Sequence, residues 1–431
     1  MSTTSRDATS YALFGPLSWP SGMGTTALNT GAALRATGRT VTAVDVRPSG
    51  ESGIVGTAER RIGTNLFHLN PDWLERFFAQ RSRSPLHVAT RLNACVPFWE
   101  LPNVSPEWVA TLNCMDAVLA PSRFIADALA SSGLVTPIVH YPQAVFIPEG
   151  VHWDRPRFGI EDTVVAFALS FAAASFVDRK NPWGAIEAFT RAFRGRDDVR
   201  LYVRVHEHPG YEDHALIQRL RMRSATDPRI VLVEGGLDYA GVLSLYASCD
   251  AYISLHRSEG LGLGPMEAMS LGKPVVATGW SGNMDFMTSD NSFPIAYSLV
   301  SAELDPGSPY GPSIAERGST WAEPDLDDAA QAMTRIANDR SLRHDIGTQA
   351  SDDMERRRAL FCRAHPFDVL EANRQQWGSG SGPHKSAATR LRGLERLARR
   401  HSETSVTAGA KRLAVNFLRT IHLKAPDPRD S

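Results

Sequence analysis

The sequence predicts an α/β protein of two domains, each carrying a parallel, doubly wound sheet. In both halves short apolar strands alternate with helical stretches, the arrangement that βαβ units require. The 431 residues, 42% hydrophobic and 22% charged, are more than one core holds and favour two or three domains. Between the halves, IVHYPQAVFIPEG at residues 138–150 carries the chain out of the first sheet. The linker is expected between Val145 and Gly159, giving a first domain over 1–150 and a second over 151–365.

In the first half, residues 11–17 read as a strand, SWPSGMG as a turn, 25–36 as a helix stopped by Gly38, and 41–46 as the second strand. Gly22 and Gly24 in that turn permit a close approach to a phosphate, or simply a tight strand-to-helix connection. Their spacing is not G-x-G-x-x-G. Residues 65–70, 86–91 and 117–121 are expected as further strands, with helical stretches at 72–80 and 107–115. Ser122 suits the N-cap of a helix over 123–131.

The second half opens at residues 164–171, a run apolar enough to be buried on both faces. The helix over 182–193 places Ile186, Phe189 and Phe193 on one stripe, which is core. Just before it stand Arg179 and Lys180. Adjacent cations at a strand-to-helix turn can neutralise a diphosphate, and arginine's planar fork matches phosphate oxygens. A solvated surface pair is the plainer reading of the same two residues. Residues 201–205 and 230–234 are two more strands around a helix at 212–223. His206 and His208 have no third ligand spaced nearby, so a loop at a strand end is preferred to a metal.

DAYISLHRSEGLGLGPMEAMSLGKPVVATGWSGNMDFM, residues 250–287, carries the most chemistry. It reads as a strand (251–256), a glycine loop, a helix (266–271, stopped by Gly272 and Pro274) and a strand (275–278). Gly260, Gly262 and Gly264 let the backbone turn sharply beside a ligand, and Pro265 fits a first helical turn. Glu259 and Glu267 bracket the loop with seven residues between them, a spacing that on a continuous helix spans about 12 Å. The loop instead folds one towards the other, with Glu259 expected at the strand's end and Glu267 in the helix's first turn. A helix N-terminus offers free N–H groups to a phosphate, and a nearby carboxylate accepts hydrogen bonds from ribose hydroxyls. Two glutamates at this spacing are alone ordinary surface charge; with the glycine loop and helix they form a nucleotide-sugar cradle.

Beyond it, residues 321–333 start a helix with acidic groups in its first turn, and helices at 341–360 and 366–377 follow. GSGSGP at 378–383 is a flexible linker by composition. A formal net charge of −1 gives no global field towards nucleic acid or membrane. The charge is uneven, with eleven Lys/Arg against four Asp/Glu from His384 onwards. TRLRGLERLARR there sets Leu391, Leu394 and Leu397 near one face, and suits an anionic membrane, a solvated helix or a partner-docking segment alike. Cys95, Cys114, Cys249 and Cys362 lie far apart without a CxxC pair, which suits a reducing cytoplasm better than disulfides or zinc. MSTTSRDATS lacks a signal-peptide pattern and no run approaches bilayer length. The expectation is a cytoplasmic protein, peripheral at a membrane only through its tail.

SEGLGLGPMEAMSLGKPVVAT (with its E-x7-E element), SGNMDFM and SFAAASFVDRKNPWGAIEAF resemble the retaining group 1 glycosyltransferases, glycosyltransferase family 4. VPFWELPNVSPEW, AVLAPSRFIADAL and WAEPD extend the resemblance over roughly residues 11–377. It implies the GT-B fold, two Rossmann-like domains facing across a cleft. A helix at 366–378 would cross back to the first domain, leaving 379–431 as a basic tail. The activity implied is retaining transfer from a UDP-, GDP- or dTDP-sugar to a glycan, lipid-linked or small-molecule acceptor, as in cell-surface polysaccharide assembly. No metal or other cofactor is required.

The same resemblance assigns Glu267 to ribose hydroxyls, Arg179 and Lys180 to the diphosphate, and Glu259 to a donor-sugar hydroxyl. The amides of Gly260, Leu261, Gly262 and Leu263 would contact sugar or phosphates, and Gly22 and Gly24 would line the cleft. Glu100 would stand beside the reacting carbon, where many relatives place a histidine, unless it caps a loop or pairs with an arginine. The family's Asp before the serine is Ala172 here, so its contribution is absent or supplied otherwise. A nucleotide-sugar epimerase, a phosphorylase and an inactive nucleotide-sugar-binding subunit are the alternative readings.

Overall fold

Every residue of β1 (Ser10–Gly15) is buried, because strands flank it on both edges and side chains cover both faces. It belongs to a computed structural model that describes residues 10–378 apart from 20, 56–61, 81–90, 174, 207–213, 305–309 and 364. Around β1 stand β2 (Thr40–Val46), β3 (Ser52–Val55), β4 (Thr64–Phe67), β5 (Leu92–Cys95), β6 (Ala117–Ala120) and β7 (Ile138–His140). Their order is β3-β2-β1-β4-β5-β6-β7, parallel except for the edge pair β2–β3. Helices α1 (Gly22–Ala36), α2 (Pro71–Gln80), α3 (Pro106–Leu112) and α4 (Arg123–Ser131) connect them. Alternation along β1 builds two cores: Ala12 and Phe14 join Phe67 and Trp99, while Tyr11 and Leu13 join Leu66 and Leu119.

The second sheet holds β8 (Val165–Ala172), β9 (Val199–His206), β10 (Ile230–Val233), β11 (Ala251–Ser254), β12 (Val275–Thr278) and β13 (Phe293–Ile295). Its order, β10-β9-β8-β11-β12-β13, is parallel throughout and doubly wound about β8. Along these strands, among the described residues, run α5 (Val177–Lys180), α6 (Pro182–Ala192), α7 (His214–Thr226), α8 (Tyr239–Ser248) and α9 (Leu263–Ser270). Then come β14 (Tyr297–Ser301), α10 (Pro312–Arg317), β15 (Thr320–Pro324), α11 (Leu326–Asn338), α12 (Arg340–Phe361) and α13 (His365–Gly378). Phe367 and Leu370 of α13 pack with Tyr11, Leu66 and Ala94 of the first sheet. Arg39 clamps the same helix, reaching Glu371 at 2.6 Å and Asp368 at 2.7 Å.

Three local expectations are corrected. The strand expected at 86–91 lies outside the described residues except for Arg91; the strand that pairs there is β5. Its polar Asn93 disguised it, yet Asn93 is buried because Asn65 donates to its side chain (2.9 Å) and Asp116 accepts from its backbone N–H (2.8 Å). Trp321–Pro324 of WAEPD belong to β15 rather than opening a helix; its Asp325 is the N-cap of α11, which starts at Leu326. Helix α9 begins at Leu263, so Glu267 sits in its second turn, not its first. Among the described residues no helix is long and apolar enough to cross a membrane. The basic tail, 379–431, lies outside the described residues, as does His208.

Candidate functional site

The loops that leave the carboxyl ends of the two sheets meet, and the meeting is tight. Ser122, capping α4, donates its hydroxyl to Gly260 O across the join at 2.6 Å. A Cβ on Gly260 would stand 2.6 Å from Trp99 O, so only glycine allows the two loops this approach. Asp285 accepts from Arg123 N at 3.0 Å and from His140 Nε2 at 3.0 Å. Open parallel sheets place ligands at such carboxyl edges.

Arg179 lies at this seam on the one-turn helix α5, which starts from Phe176 in the left-handed region (φ 56°). Its guanidinium is buried and donates to Ser258 O (2.6 Å) and Ser175 Oγ (2.8 Å). Glu259 Oε2 lies 3.3 Å from Nη1, and Glu100 Oε1 of the first domain 3.7 Å from Nη2. Arg179 Nε is buried without a partner among the described residues. Lys180 Nζ donates to the other Glu259 oxygen at 2.5 Å. Two cations and two carboxylates thus converge from both domains. Burial pushes the Glu259 carboxyl up, but Lys180 and Arg179 outweigh it and hold it down at about 2. Burial lowers Lys180 against the pull of Glu259. Glu100 is therefore paired with an arginine, the plainer of its two readings, at a position that also faces the seam.

Glu267 is in a different environment. Its carboxyl is buried on α9, and its hydrogen-bond partner is the Tyr239 hydroxyl at 3.0 Å. Burial raises it to about 8, the tyrosine bond only partly opposing the shift. A carboxyl with that value carries a proton at neutral pH and can donate as well as accept. The phenol of Tyr252 lies in the field of both Glu259 and Glu267, so the two glutamates share one neighbourhood.

Gly262 (φ 84°) caps α9, and Leu263 is the helix's first residue. Among the described residues no side chain caps that end; Pro265 has no N–H and Met266 N donates to Gly262 O at 3.1 Å, which leaves the amides of Leu263 and Gly264 for an anion. A Cβ on Gly22 would lie 3.7 Å from Leu263 Cδ2, which puts Gly22 on the opposite wall. Gly24 faces inwards: a Cβ there would meet Pro16 O at 2.5 Å and Trp19 O at 2.7 Å. The tight-turn reading accounts for Gly24, and its expected place in the cleft lining is withdrawn.

Sequence reasoning missed several supports. Tyr239, the first residue of α8, bonds Glu267 from outside the motif stretch. Ser281 accepts from Glu259 N at 2.8 Å, and Gly282 N donates to Glu259 O at 2.8 Å. His256 is buried between Ser254 Oγ and Asn283 Oδ1, both at 3.0 Å, and steadies the 280–287 loop behind Glu259. No spacing rule marks these residues. His206 meets Ser170 Oγ at 3.1 Å. Among the described residues there is no group of three or more potential metal ligands.

Residues 167–302, from β8 to just beyond β14, match the family model described as Glycosyl transferases group 1. No curated protein sequence matches the chain. Sucrose-phosphate synthase from Thermosynechococcus elongatus superimposes with a TM-score of 0.60 at 14% identity, over 86% of this chain and 100% of that one. HepE from Anabaena, in complex with UDP and glucose, gives 0.57 at 15% identity over 84% and 100%. S. aureus TarM gives 0.49 at 13% identity over 71% and 55%; the chain spans about half of TarM's length. The two facing parallel-sheet domains are the GT-B fold.

Proposed function

We propose that this chain, a GT-B protein whose residues 167–302 are a group 1 glycosyltransferase domain, is a retaining glycosyltransferase using a nucleotide-diphosphate sugar. The observation that carries the reading is the convergence of Arg179, Lys180 and the uncapped start of α9 on one carboxyl-edge seam, inside the matched segment. Those groups suit a diphosphate. Arg179 Nε, buried and unpaired, is a donor left over for a phosphate oxygen.

In this reading Glu267 holds ribose hydroxyls and Glu259 a hydroxyl of the donor sugar, while Gly22 and Leu263 line the walls. Gly260, Leu261 and Gly262 offer backbone amides to sugar or phosphates. The bond from the anomeric carbon to the β-phosphate oxygen breaks as the acceptor's hydroxyl oxygen approaches from the same face. The hydroxyl proton passes to the departing phosphate oxygen, and configuration is retained without an enzyme nucleophile. Negative charge grows on the β-phosphate in the transition state, so fixed cations and N–H dipoles supply most of the acceleration. Glu100 stands beside the reacting carbon once the diphosphate replaces it on Arg179.

The donor's nucleotide is UDP, GDP or dTDP, with UDP the first to try because HepE holds it. The acceptor is a glycan, lipid-linked or small-molecule hydroxyl, in keeping with surface polysaccharide assembly. Contact with an anionic membrane through 384–431 belongs to the same reading, and flotation of the full chain with anionic liposomes checks it. Thermal shifts with UDP, GDP and dTDP test the donor. Glu267→Ala should then weaken donor binding, and Arg179→Ala should slow turnover. Loss of the same parameter to the same extent in both variants contradicts these assignments.

Ala172, where the family has an Asp, favours a second reading, an inactive nucleotide-sugar-binding subunit. Binding without transfer across a broad acceptor panel would support it.

A further inference from the structure

Glu259 and Glu267 are held in opposite ways, and the difference decides what each can take. Two cations reach Glu259, Lys180 at 2.5 Å and Arg179 at 3.3 Å. Among the described residues Glu267 has no ion pair; the group bonded to it is the Tyr239 hydroxyl, which donates to Oε1 at 3.0 Å. Its other oxygen, Oε2, has no hydrogen-bond partner among the described residues, on a side chain that is 5% exposed. A phosphate would meet no balancing cation there, whereas a neutral hydroxyl satisfies the free oxygen.

Tyr239 is itself fixed. It is the first residue of α8, whose N-cap Asp238 accepts from Gly241 N at 2.8 Å. Its ring packs against the core that contains Tyr246, Tyr252, Met266 and Met269. Met266 and Met269 flank Glu267 on α9, so the ring that gives the bond and the helix that carries the carboxyl share one packed core. The donor hydroxyl and its acceptor therefore come from different helices, held together by apolar contacts that do not depend on their hydrogen bond.

We propose that Tyr239 is a positioning residue that aims the free oxygen of Glu267 at a ribose 2′-hydroxyl, so that the site selects ribonucleoside over 2′-deoxyribonucleoside diphosphates. The inference rests on the nucleotide-sugar reading and narrows it: UDP- and GDP-sugars are favoured over dTDP-sugars. A glutamate side chain has several rotatable bonds, and a fixed phenol on one oxygen selects one orientation of the carboxyl. When a 2′-hydroxyl is present, Oε2 gains a donor. When hydrogen stands in its place, the bound nucleotide shuts water away from Oε2 and offers nothing in return, which is the costly outcome for a buried carboxyl.

The test is calorimetric binding to the full chain, to Tyr239→Phe, to Glu267→Ala and to the double variant. The probes are UDP with 2′-deoxy-UDP, GDP with 2′-deoxy-GDP, and dTDP. The unaltered chain should bind the ribonucleotide of the better pair at least about tenfold more tightly than its deoxy counterpart. Tyr239→Phe keeps the ring and its packing. It should weaken the ribonucleotide about tenfold and leave the deoxyribonucleotide within about twofold, so that the preference collapses. In the Glu267→Ala background the same change should cost nothing further. A merely structural tyrosine would weaken both members of the pair alike.

Equal affinity for the two sugars in the unaltered chain would overturn the proposal while leaving nucleotide binding intact. So would an undiminished preference in Tyr239→Phe, an equal loss of both nucleotides, or losses that multiply in the double variant. Failure of the unaltered chain to bind any of the five probes is a separate result, and it overturns the functional reading together with the proposal.

Discussion

Burial holds the Glu267 carboxyl at about 8 against an ordinary value of 4.5, and the Tyr239 hydroxyl only partly opposes it. Because the folded value is raised, the folded chain keeps a proton that the unfolded chain loses above 4.5. Stability from this group is therefore greatest below 4.5, falls as pH rises towards 8, and is level above that. Urea denaturation at roughly pH 5 and pH 8 should show a smaller difference in Glu267→Gln than in the unaltered chain. Glu259 has the opposite sign: its value is lowered to about 2, so its contribution is present above 4.5 and disappears as pH falls through 2. If ribose hydroxyls bond an ionised Glu267, binding a nucleoside diphosphate at neutral pH should release about one proton. Calorimetry in buffers of different ionisation enthalpy reads that release, and Glu267→Gln should abolish it. Arg179→Ala takes one of two cations from Glu259, which keeps Lys180, and leaves the partly exposed Glu100 without its arginine, so it should cost less than the roughly 3–5 kcal/mol of a fully broken buried pair. Chemical denaturation checks the loss. Lysine lacks the fork that reaches Ser258 O and Ser175 Oγ together, so Arg179→Lys should recover little of it.

Glycines decide how the elements of the site fit. A Cβ on Gly282 would sit 2.0 Å from Gly260 O, and Gly282 N also holds Glu259 O. Gly282→Ala should cost about 1–3 kcal/mol and lower turnover more than nucleotide affinity, which denaturation and kinetics separate. At this scale the sequence was informative where pattern and burial agree. The apolar runs of β8 and β11 and the Ile186–Phe189–Phe193 stripe of α6 were legible because continuous burial selects continuous hydrophobicity. β5 was not, because its buried Asn93 is satisfied by partners distant in the chain. The start of α9 was placed late because Gly262 and Gly264 read as loop, whereas only the first of them lies outside the helix. Tyr239 and His256 left no signal, since their role is defined by neighbours rather than by spacing, and SGNMDFM marked Ser281 only by resemblance, without its bond to Glu259 N.

Closure of the whole molecule depends on residues that belong to neither half's pattern. α13 returns to the first sheet, and Arg39 beneath it is 7% exposed between Glu371 and Asp368. Arg39→Ala should cost about 3 kcal/mol by denaturation and loosen the docking of α13. Alternating strands and helices foretold two parallel sheets. They could not foretell that Glu100 and Arg179, far apart in sequence, meet where the sheets face each other. The central claim is that one seam grips a sugar's diphosphate leaving group through Arg179, Lys180 and the start of α9, with the ribose on Glu267. A crystal structure of the full chain with UDP or whichever nucleoside diphosphate binds tests it most directly. The account predicts the diphosphate against Arg179 and Lys180 and the ribose hydroxyls on Glu267. A nucleotide seated elsewhere, with Glu267 still bonded only to Tyr239, would contradict it.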